Sequence, residues 1–234
     1  MHDAHGDIAA NIAAVRARID AAARRAGRDA QDVRLIAVSK GFDAARINQA
    51  IEAGITDIGE NRVQEAAAKR DGVTHEVNWH LVGHLQTNKA KAAAAMFDAV
   101  HSLDSERVAR ALAEHRPGDS APLAALIEVE LTGIAARTGV AEADAEAVLR
   151  AAAGLPGVHV LGLMTIAPPG GADQARACFQ RLGTLRERLE RSSGWALPEL
   201  SMGMSGDYEV AVEEGATMVR IGRAIFGDRP ALRA

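Results

Sequence analysis

The chain alternates eight times between a short apolar segment and a longer amphipathic one. The short segments are rich in β-branched residues and predict buried strands, whereas the longer ones space their apolar residues as helices do. Strands that alternate with helices pair in parallel through right-handed crossovers. Eight such units in 234 residues predict an α/β fold, the (β/α)8 or TIM barrel. The predicted strands span residues 33–39, 55–59, 78–83, 97–103, 123–131, 158–166, 199–204 and 217–222.

One amphipathic segment stands apart because it precedes the first strand. Residues 7–26 repeat apolar side chains at helical spacing, so we expect an extra N-terminal helix. The alternative fold is a doubly wound open sheet, which normally has fewer strands and, in a nucleotide binder, a glycine fingerprint after the first strand. The segment 39–42 has no such fingerprint, and no linker interrupts the alternation. We therefore expect a single domain over residues 1–234.

The charge balance and the apolar runs argue against several classes of protein. The net charge is −4, from 27 basic and 31 acidic side chains, without the basic excess of a nucleic-acid binder. No apolar run approaches the ~20 residues of a membrane span, and the start of the chain lacks the basic and apolar stretches of a signal peptide. The single cysteine, Cys178, fits a reducing compartment. We expect a cytoplasmic protein, and a monomer because no long apolar patch is visible.

Lys40 occupies an unusual place, after the first apolar strand and before Gly41. Burying an ammonium group is costly or lowers its pKa, so lysine rarely goes inside a protein unpaired. A lysine that loses its proton easily attacks aldehydes, which makes Lys40 a candidate for a Schiff base. The alternative is a strand-end lysine that reaches water or pairs with a carboxylate, and this segment alone favours that alternative.

The ends of the last two predicted strands have the composition of phosphate-binding loops. Barrels commonly bind phosphate with the loops after strands seven and eight and a short helix beside them. Ser201, Gly203 and Ser205 belong to the first loop, while Gly222 and Arg223 open the second. Glycine allows close backbone approach, and the first N–H groups of a helix bind anions. A phosphate site together with a lysine that captures aldehydes suggests pyridoxal 5′-phosphate (PLP).

Six ordered motifs carry a resemblance that covers essentially the whole chain. The chain closely resembles the pyridoxal phosphate homeostasis protein family, whose barrel is similar to the N-terminal domain of alanine racemase and has PLP fold type III. Two departures are visible, because His84 stands where many members have proline and Arg62 stands where many have tyrosine. The motifs are AVSK at 37–40, GENRVQE at 59–65, WHLVGHLQTNK at 79–89, GLM at 162–164, LSMGMS at 200–205 and VRIG at 219–222.

The resemblance implies a role for each residue of a PLP site. Lys40 forms the Schiff base with the cofactor, and Asn61 lies near its ring. Arg220 faces the pyridine nitrogen, which it should leave unprotonated because arginine effectively never gives up its proton. Two further groups of residues bind the phosphate and complete the wall. The phosphate residues are Ser201, Gly222 and Arg223, the last through its main chain, and the wall residues are Met204 and Ser205.

The same resemblance favours a binding protein over an enzyme. Racemisation needs acid–base groups on both faces of the substrate, and in the similar racemases the second is a tyrosine from an additional β domain, which we do not expect here. The only tyrosine is Tyr208, for which we expect a partly exposed packing role. We expect the protein to hold PLP, limit the free aldehyde and pass it to PLP-dependent apoenzymes, without catalytic turnover. The alternatives are a PLP-dependent amino-acid racemase and a phosphate-binding barrel without this cofactor.

Other polar residues carry weaker signals. His80 and His84 are four residues apart, but they straddle a predicted strand end rather than share a helical face, so we expect no metal site. His101 lies at a strand end and suggests a supporting or capping role. Glu60 and Glu65 are expected at the surface or as caps.

Overall fold

The computed structural model describes residues 7–228, which form a closed barrel of eight parallel strands surrounded by helices. Each barrel strand pairs with the next along the chain, and the ring closes where the last strand pairs with the first. The predicted (β/α)8 barrel is confirmed, whereas the expectation about a signal peptide falls largely on residues 1–6, outside the described residues. The strands are Arg34–Val38 (β1), Asp57–Glu60 (β2), Asn78–Leu81 (β3), Ala99–Leu103 (β4), Leu123–Glu130 (β5), Val158–Met164 (β6), Glu199–Ser201 (β7) and Met218–Ile221 (β8).

A helix follows every barrel strand, and one more precedes the first strand, as the sequence predicted. The first helix begins at a cap in which the Asp7 carboxylate accepts hydrogen bonds from the N–H groups of Ala9 and Ala10. Within residues 7–228, no helix is both long and apolar enough to cross a membrane. The helices are Ile8–Arg25 (α1), Ala44–Glu52 (α2), Val63–Arg70 (α3), Ala90–Met96 (α4), Glu106–His115 (α5), Ala145–Ala153 (α6), Ala172–Ser193 (α7), Tyr208–Glu213 (α8) and Arg223–Phe226 (α9).

The structure moves several boundaries relative to the sequence prediction. Glu60 is the last residue of β2, and α3 begins at Val63 rather than at residue 60. Strand β3 ends at Leu81, two residues before the predicted end. A two-residue strand, Val140–Ala141, also pairs in parallel with the end of β5. Such a short strand has no readable periodicity, because a pattern of alternation needs about four residues or more.

The alternation of side chains along each strand separates the barrel interior from the layer beneath the helices. Ile36, Leu126, Met164 and Met218 form a separate apolar cluster inside the barrel, while the main apolar core packs between strands and helices. Lys40 follows Ile36 by four residues, so the same alternation carries it to the mouth of the barrel.

Helix α1 packs against α8 and α9, the two helices that follow β7 and β8. Arg18 forms an ion pair with Glu209 at 2.5 Å, and the Asn11 amide donates to the Ile225 carbonyl at 2.9 Å. The expected partial exposure of Tyr208 is wrong, because the residue is only 2% exposed and Arg18 lies 5.5 Å above its ring. Helix α1 therefore covers Tyr208 and fixes the two helices that border the site.

Candidate functional site

A cavity of about 850 Å³ opens at the carboxyl ends of the barrel strands. Active sites of (β/α)8 barrels lie at this end, where the loops that follow the strands converge. Seven of the eight residues predicted for the site line this cavity, and the eighth, Ser201, does not. The seven are Lys40, Asn61, Met204, Ser205, Arg220, Gly222 and Arg223.

The backbone before Lys40 is held by side chains from β2 and α3. The Lys69 ammonium donates to the Ser39 carbonyl at 2.9 Å and to the Glu60 carboxylate at 2.7 Å. The Ser39 hydroxyl donates to the same Glu60 oxygen at 2.6 Å. These three hydrogen bonds tie Ser39 to the end of β2, so the lysine side chain starts from a fixed point at the barrel mouth.

Glu65 holds the backbone after Lys40. Its Oε1 atom accepts hydrogen bonds from the Gly41 N–H at 2.5 Å and from Lys69 at 2.8 Å. Burial raises the pKa of Glu65, but the bonds from Gly41 and Lys69 outweigh this effect and leave the pKa below its ordinary value. Glu65 is thus a carboxylate at neutral pH, and it caps Gly41 as a charged acceptor.

Glu60 lies inside this cluster, so its expected place at the surface or as a cap is wrong. Its side chain is 0% exposed. Burial raises the pKa of Glu60, and the hydrogen bonds from Lys69 and Ser39 offset only part of that effect. Its Oε2 atom has no hydrogen-bond partner among the described residues. The Lys69 ammonium is almost as deeply buried, and the pair therefore depends on both partners.

Two hydrogen bonds hold the side chain of Arg220 in the barrel interior. Its Nη1 donates to the Ser201 hydroxyl at 2.6 Å and its Nη2 donates to the Thr165 carbonyl at 2.9 Å. Burial lowers the pKa of Arg220 to about 10, although the carboxylates of Asp207 and Glu128 act in the opposite direction. The guanidinium therefore stays charged at neutral pH and presents donors, never an acceptor, to the cavity.

The loops after β7 and β8 meet at the first turn of α9. The Ala224 N–H donates to the Ser205 hydroxyl at 3.3 Å, and the first bond within the turn runs from the Ile225 N–H to the Gly222 carbonyl at 3.0 Å. The N–H groups that begin a helical turn have no acceptor inside it. Gly203 has a φ of +92°, and a Cβ there would lie 2.5 Å from the Cβ of Ala211. The two loops thus form a glycine-lined cradle suited to an anion.

Ser201 lies beneath the cavity rather than in its wall. It is fully buried on β7, and its hydroxyl contacts both His101 Nδ1 at 2.8 Å and Arg220 Nη1 at 2.6 Å. The direct contact with phosphate that the resemblance implied does not fit this position. Ser201 can instead influence the site through Arg220.

The ends of β2 and β3 approach each other closely at Asn61. A Cβ on Gly83 would lie 2.4 Å from the Asn61 carbonyl oxygen, so a side chain at residue 83 would displace Asn61 from the cavity wall. The two departures from the family pattern lie nearby. Arg62 precedes α3 without a capping hydrogen bond from its side chain, and His84 is half-exposed and contacts Asp104 at 3.2 Å.

A line of buried polar groups below the cavity was not predicted. His80 Nδ1 contacts His101 Nε2 at 2.9 Å, and His80 Nε2 contacts Asp57 Oδ1 at 2.9 Å. In the sequence, His80 stands out only by its spacing from His84, but the structure places His80 inside the barrel and His84 at the mouth. The signal that could have found the line is polarity at interior positions, since His80 and Asp57 occupy strand positions that normally carry apolar side chains. Within residues 7–228, no group of three or more His, Cys, Asp or Glu side chains is arranged so that it could hold a metal ion.

The site therefore combines a lysine with a fixed backbone, a buried permanent cation and an anion cradle around one cavity. An anionic ligand with a reactive carbonyl group would meet a nucleophile, a donor and a phosphate-type site at once. The hydrophobic lining from Val38, Val82 and Ile166 gives a flat ring an apolar surface to lie against.

Comparisons of the sequence with known proteins find relatives that match almost the whole chain. The family model described as alanine racemase, N-terminal domain, matches residues 10–230. The pyridoxal phosphate homeostasis protein of Pseudomonas aeruginosa is 44% identical over 224 residues, which cover 95% of this chain and 96% of that protein. The protein of the same name from Escherichia coli K12 is 39% identical over 236 residues, with 95% and 97% coverage.

Two solved structures are similar to this chain over almost its whole length. PipY of Synechococcus elongatus with PLP bound is 38% identical, with a TM-score of 0.84 over 94% of this chain and 100% of that chain. Alanine racemase of Clostridium difficile is 12% identical, with a TM-score of 0.73 over 97% of this chain and 58% of that chain. The racemase likeness concerns the fold alone, because its identity is low.

Proposed function

The chain belongs to the pyridoxal phosphate homeostasis protein family, which has the alanine racemase N-terminal domain, and we propose that it binds PLP at the barrel mouth and serves cytoplasmic PLP homeostasis. The observation that carries the proposal is one cavity lined by Lys40, Arg220 and the cradle at α9. PipY, a 38% identical protein over the whole of its length, is described with PLP bound.

The chemistry of the donors fits this cofactor. PLP supplies an aldehyde that forms a Schiff base with a lysine amine, a pyridine ring and a phosphate group. We assign the lysine to Lys40 and the contact with the pyridine nitrogen to Arg220. We assign the phosphate to Ser205 and to the backbone of Gly222 and Arg223.

The remaining wall is assigned to two residues from different strand ends. We assign Asn61, which lines the cavity, to the side of the ring, and Met204, which is 38% exposed, to the outer side of the site. Ser201 is not given a phosphate contact, because its hydroxyl is already used by His101 and Arg220.

Binding and carriage, rather than catalytic turnover, is the function that we favour. Arg220 donates hydrogen bonds and keeps its proton, so it leaves the ring nitrogen unprotonated and makes the ring a poor acceptor of electrons. Tyr208, the only tyrosine, is buried against α1 and does not line the cavity. We therefore propose that the protein holds PLP reversibly as a monomer and transfers it to PLP-dependent apoenzymes.

Absorbance and amino-acid exchange together test this proposal. Addition of PLP to the purified protein should produce a band near ~420 nm, and L- or D-amino acids should change the band without sustained conversion of one enantiomer into the other. Sustained racemisation that disappears in Lys40→Ala would support a racemase and overturn the carrier role. Binding of inorganic phosphate without any such band would favour a phosphate-binding barrel.

A further inference from the structure

A continuous line of five buried polar side chains runs through the barrel interior beneath the proposed PLP site. It begins at Arg220, passes through Ser201, His101 and His80, and ends at Asp57. The four contacts measure 2.6, 2.8, 2.9 and 2.9 Å in that order. All five residues are buried, and each of the four contacts joins two side chains of the line directly, so each contact needs one donor and one acceptor from the two groups that it joins.

The chemistry of the two ends sets the direction of every hydrogen bond. Arg220 can only donate, so the Ser201 oxygen accepts from it. The Ser201 hydrogen needs an acceptor, and among the described residues the other partner of this hydroxyl is His101 Nδ1, so the hydrogen points there. His101 must then carry its proton on Nε2, which donates to His80 Nδ1. His80 carries its own proton on Nε2, which donates to the Asp57 carboxylate. Both histidines are therefore neutral and both are the Nε2–H tautomer.

The opposite direction is disfavoured by the same two ends. If His101 donated to Ser201 from Nδ1, then His80 Nε2 could face Asp57 only if Asp57 were protonated or His80 were a cation. The Ser201 hydrogen would also lose its acceptor, because the described partners of that hydroxyl are only His101 and Arg220.

The electrostatics of the line agree with this direction. Burial, followed by the neighbouring His80 and Arg220, lowers the pKa of His101 well below its ordinary value. Burial raises the pKa of Asp57, but hydrogen bonds from His80 and other neighbours outweigh burial and keep it an ionised acceptor. At neutral pH, His101 is thus neutral and Asp57 is charged, as the one-way line requires.

We propose that this line is a one-way hydrogen-bond chain that positions Arg220 for the cofactor, with Ser201, His101, His80 and Asp57 as positioning residues. The inference rests on the proposed function only in the role that it gives to Arg220. The Ser201 hydrogen is drawn towards His101, so the Ser201 oxygen presents its lone pairs to the guanidinium. This orients Nη1 inwards, beside the Nη2 that is held by the Thr165 carbonyl, and leaves the remaining N–H groups of Arg220 for the cavity.

The first test needs no cofactor. In the ¹⁵N-labelled protein without PLP, histidine side-chain spectra at neutral pH should identify two neutral Nε2–H tautomers, assigned by loss of each signal in His80→Gln and His101→Gln. An Nδ1–H tautomer or a cation at either histidine would overturn the proposal. This result stands whether or not PLP binds, so it separates failure of the chain from failure of the proposed function.

The second test removes the link between the chain and Arg220. Ser201→Ala should weaken PLP binding roughly tenfold, since one hydrogen bond from a charged donor is lost. It should also change the His101 side-chain signals, because Nδ1 loses its donor. The matched control is Ser102→Ala, which removes a neighbouring buried serine that donates to the Gly83 carbonyl instead and should change neither result. Unchanged PLP affinity and unchanged His101 signals in Ser201→Ala would overturn the proposal.

The third test acts at the far end of the chain. Asp57→Leu removes the terminal acceptor and keeps the branched shape of the side chain, whereas Asp57→Asn keeps an acceptor oxygen. We expect Asp57→Leu to release the fixed tautomer of His80 and to weaken PLP binding several-fold, and Asp57→Asn to retain most of both. If the two variants bound PLP with equal affinity, the proposal would be wrong. The acceptor oxygen at residue 57 would then have no effect on Arg220, as expected for a merely structural residue. If Asp57→Leu does not fold, the histidine tautomers in Asp57→Asn and in the unmodified protein still test the proposal.

Discussion

The two cations of the site, Lys40 and Arg220, are held in different ways. At Lys40 the structure fixes the backbone. Lys69 binds the Ser39 carbonyl before it, and Glu65, which also binds Lys69, accepts from the Gly41 N–H after it. At Arg220 the structure fixes the guanidinium itself, through Ser201 and Thr165 in the barrel interior. One cation is therefore positioned from its main chain and the other from its side-chain tip.

The difference matches the chemistry that each group must perform. A lysine nucleophile must lose a proton and move its amine from water to the bound aldehyde and back, so a fixed backbone is more useful than a fixed side-chain tip. An arginine that only donates must keep one orientation, since its contribution is a charge and a set of donors in a defined direction. The support of the Lys40 backbone comes mainly from α3, outside the barrel strands. The support of the Arg220 guanidinium comes from residues inside the barrel.

The largest expected effect separates the two cations directly. Lys40→Ala should abolish the covalent link and weaken PLP retention by roughly a hundredfold or more, equal to about 2.7 kcal/mol. Spectral titration and dialysis measure this loss. The control is Lys91→Ala, an exposed lysine on α4 outside the cavity, which should bind PLP as the unmodified protein does. A Lys40→Ala protein that keeps the ~420 nm band would show that another amine is the nucleophile.

The backbone support of Lys40 can be broken without touching Lys40. Lys69→Met leaves the buried Glu60 carboxylate without its cation, and removal of one partner from a buried ion pair costs about 3 kcal/mol of unfolding free energy. Urea denaturation measures the loss, and stopped-flow absorbance should record slower PLP capture.

The double variant Lys69→Met with Glu60→Gln provides the control for that experiment. It removes the uncompensated charge, so it should recover part of the lost stability. If Lys69→Met left both stability and capture rate unchanged, the account of how Lys40 is positioned would be wrong.

The side-chain support of Arg220 is tested by a change that keeps the charge. Arg220→Lys cannot bond Ser201 and Thr165 with a planar fork while also facing the cavity, so PLP affinity should fall about tenfold. Isothermal titration calorimetry measures this affinity, with Arg110→Lys as a control at an exposed ion pair of α5. Full affinity in Arg220→Lys would mean that charge alone is sufficient there.

The phosphate side should give an effect no larger than that of Arg220→Lys. Ser205→Ala should weaken PLP binding about tenfold, because one hydrogen bond from a hydroxyl to a charged phosphate contributes about 1.5 kcal/mol. Pyridoxal, which lacks the phosphate group, serves as the internal control and should bind the variant and the unmodified protein equally. An equal loss for both ligands would move Ser205 away from the phosphate.

The smallest effect concerns the pH dependence of stability. The folded-state pKa of Glu60 is raised by burial, so between the unfolded and folded pKa values the folded chain binds more protons than the unfolded chain. Stability from this group is therefore lost as pH rises through that window. The Glu60→Gln variant does not lose stability in this way. Its free energy of unfolding, measured by denaturation curves, should therefore increase relative to that of the unmodified protein between about pH 4 and about pH 8.

The barrel and the mouth residues could be predicted because both depend on patterns that are local in the sequence. Strand and helix periods fix the order of elements, and the end of a strand fixes where Lys40 and Gly222 emerge. The buried pair of Glu60 and Lys69 could not be predicted, because it depends on how α3 lies over β1 and β2. The burial of Tyr208 could not be predicted for a similar reason, since the helix that covers it lies almost two hundred residues earlier in the chain.

The interior chain shows the same limit more sharply. His80 and His101 come from different strands, and Ser201 lies a hundred residues from His101. Each residue alone looks like an isolated polar group at or near a strand end. Only the closed barrel brings them into one line, and only the donor and acceptor chemistry of Arg220 and Asp57 gives that line a direction.

The most direct measurement for the central claim is reduction of the PLP-loaded protein with borohydride, followed by peptide mass spectrometry. Reduction converts the bond between the cofactor and its lysine into a stable phosphopyridoxyl adduct. We expect the adduct on Lys40 at close to one per chain, with Lys69 and Lys91 unmodified. An adduct found only on another lysine would contradict the proposed place of Lys40 in the site.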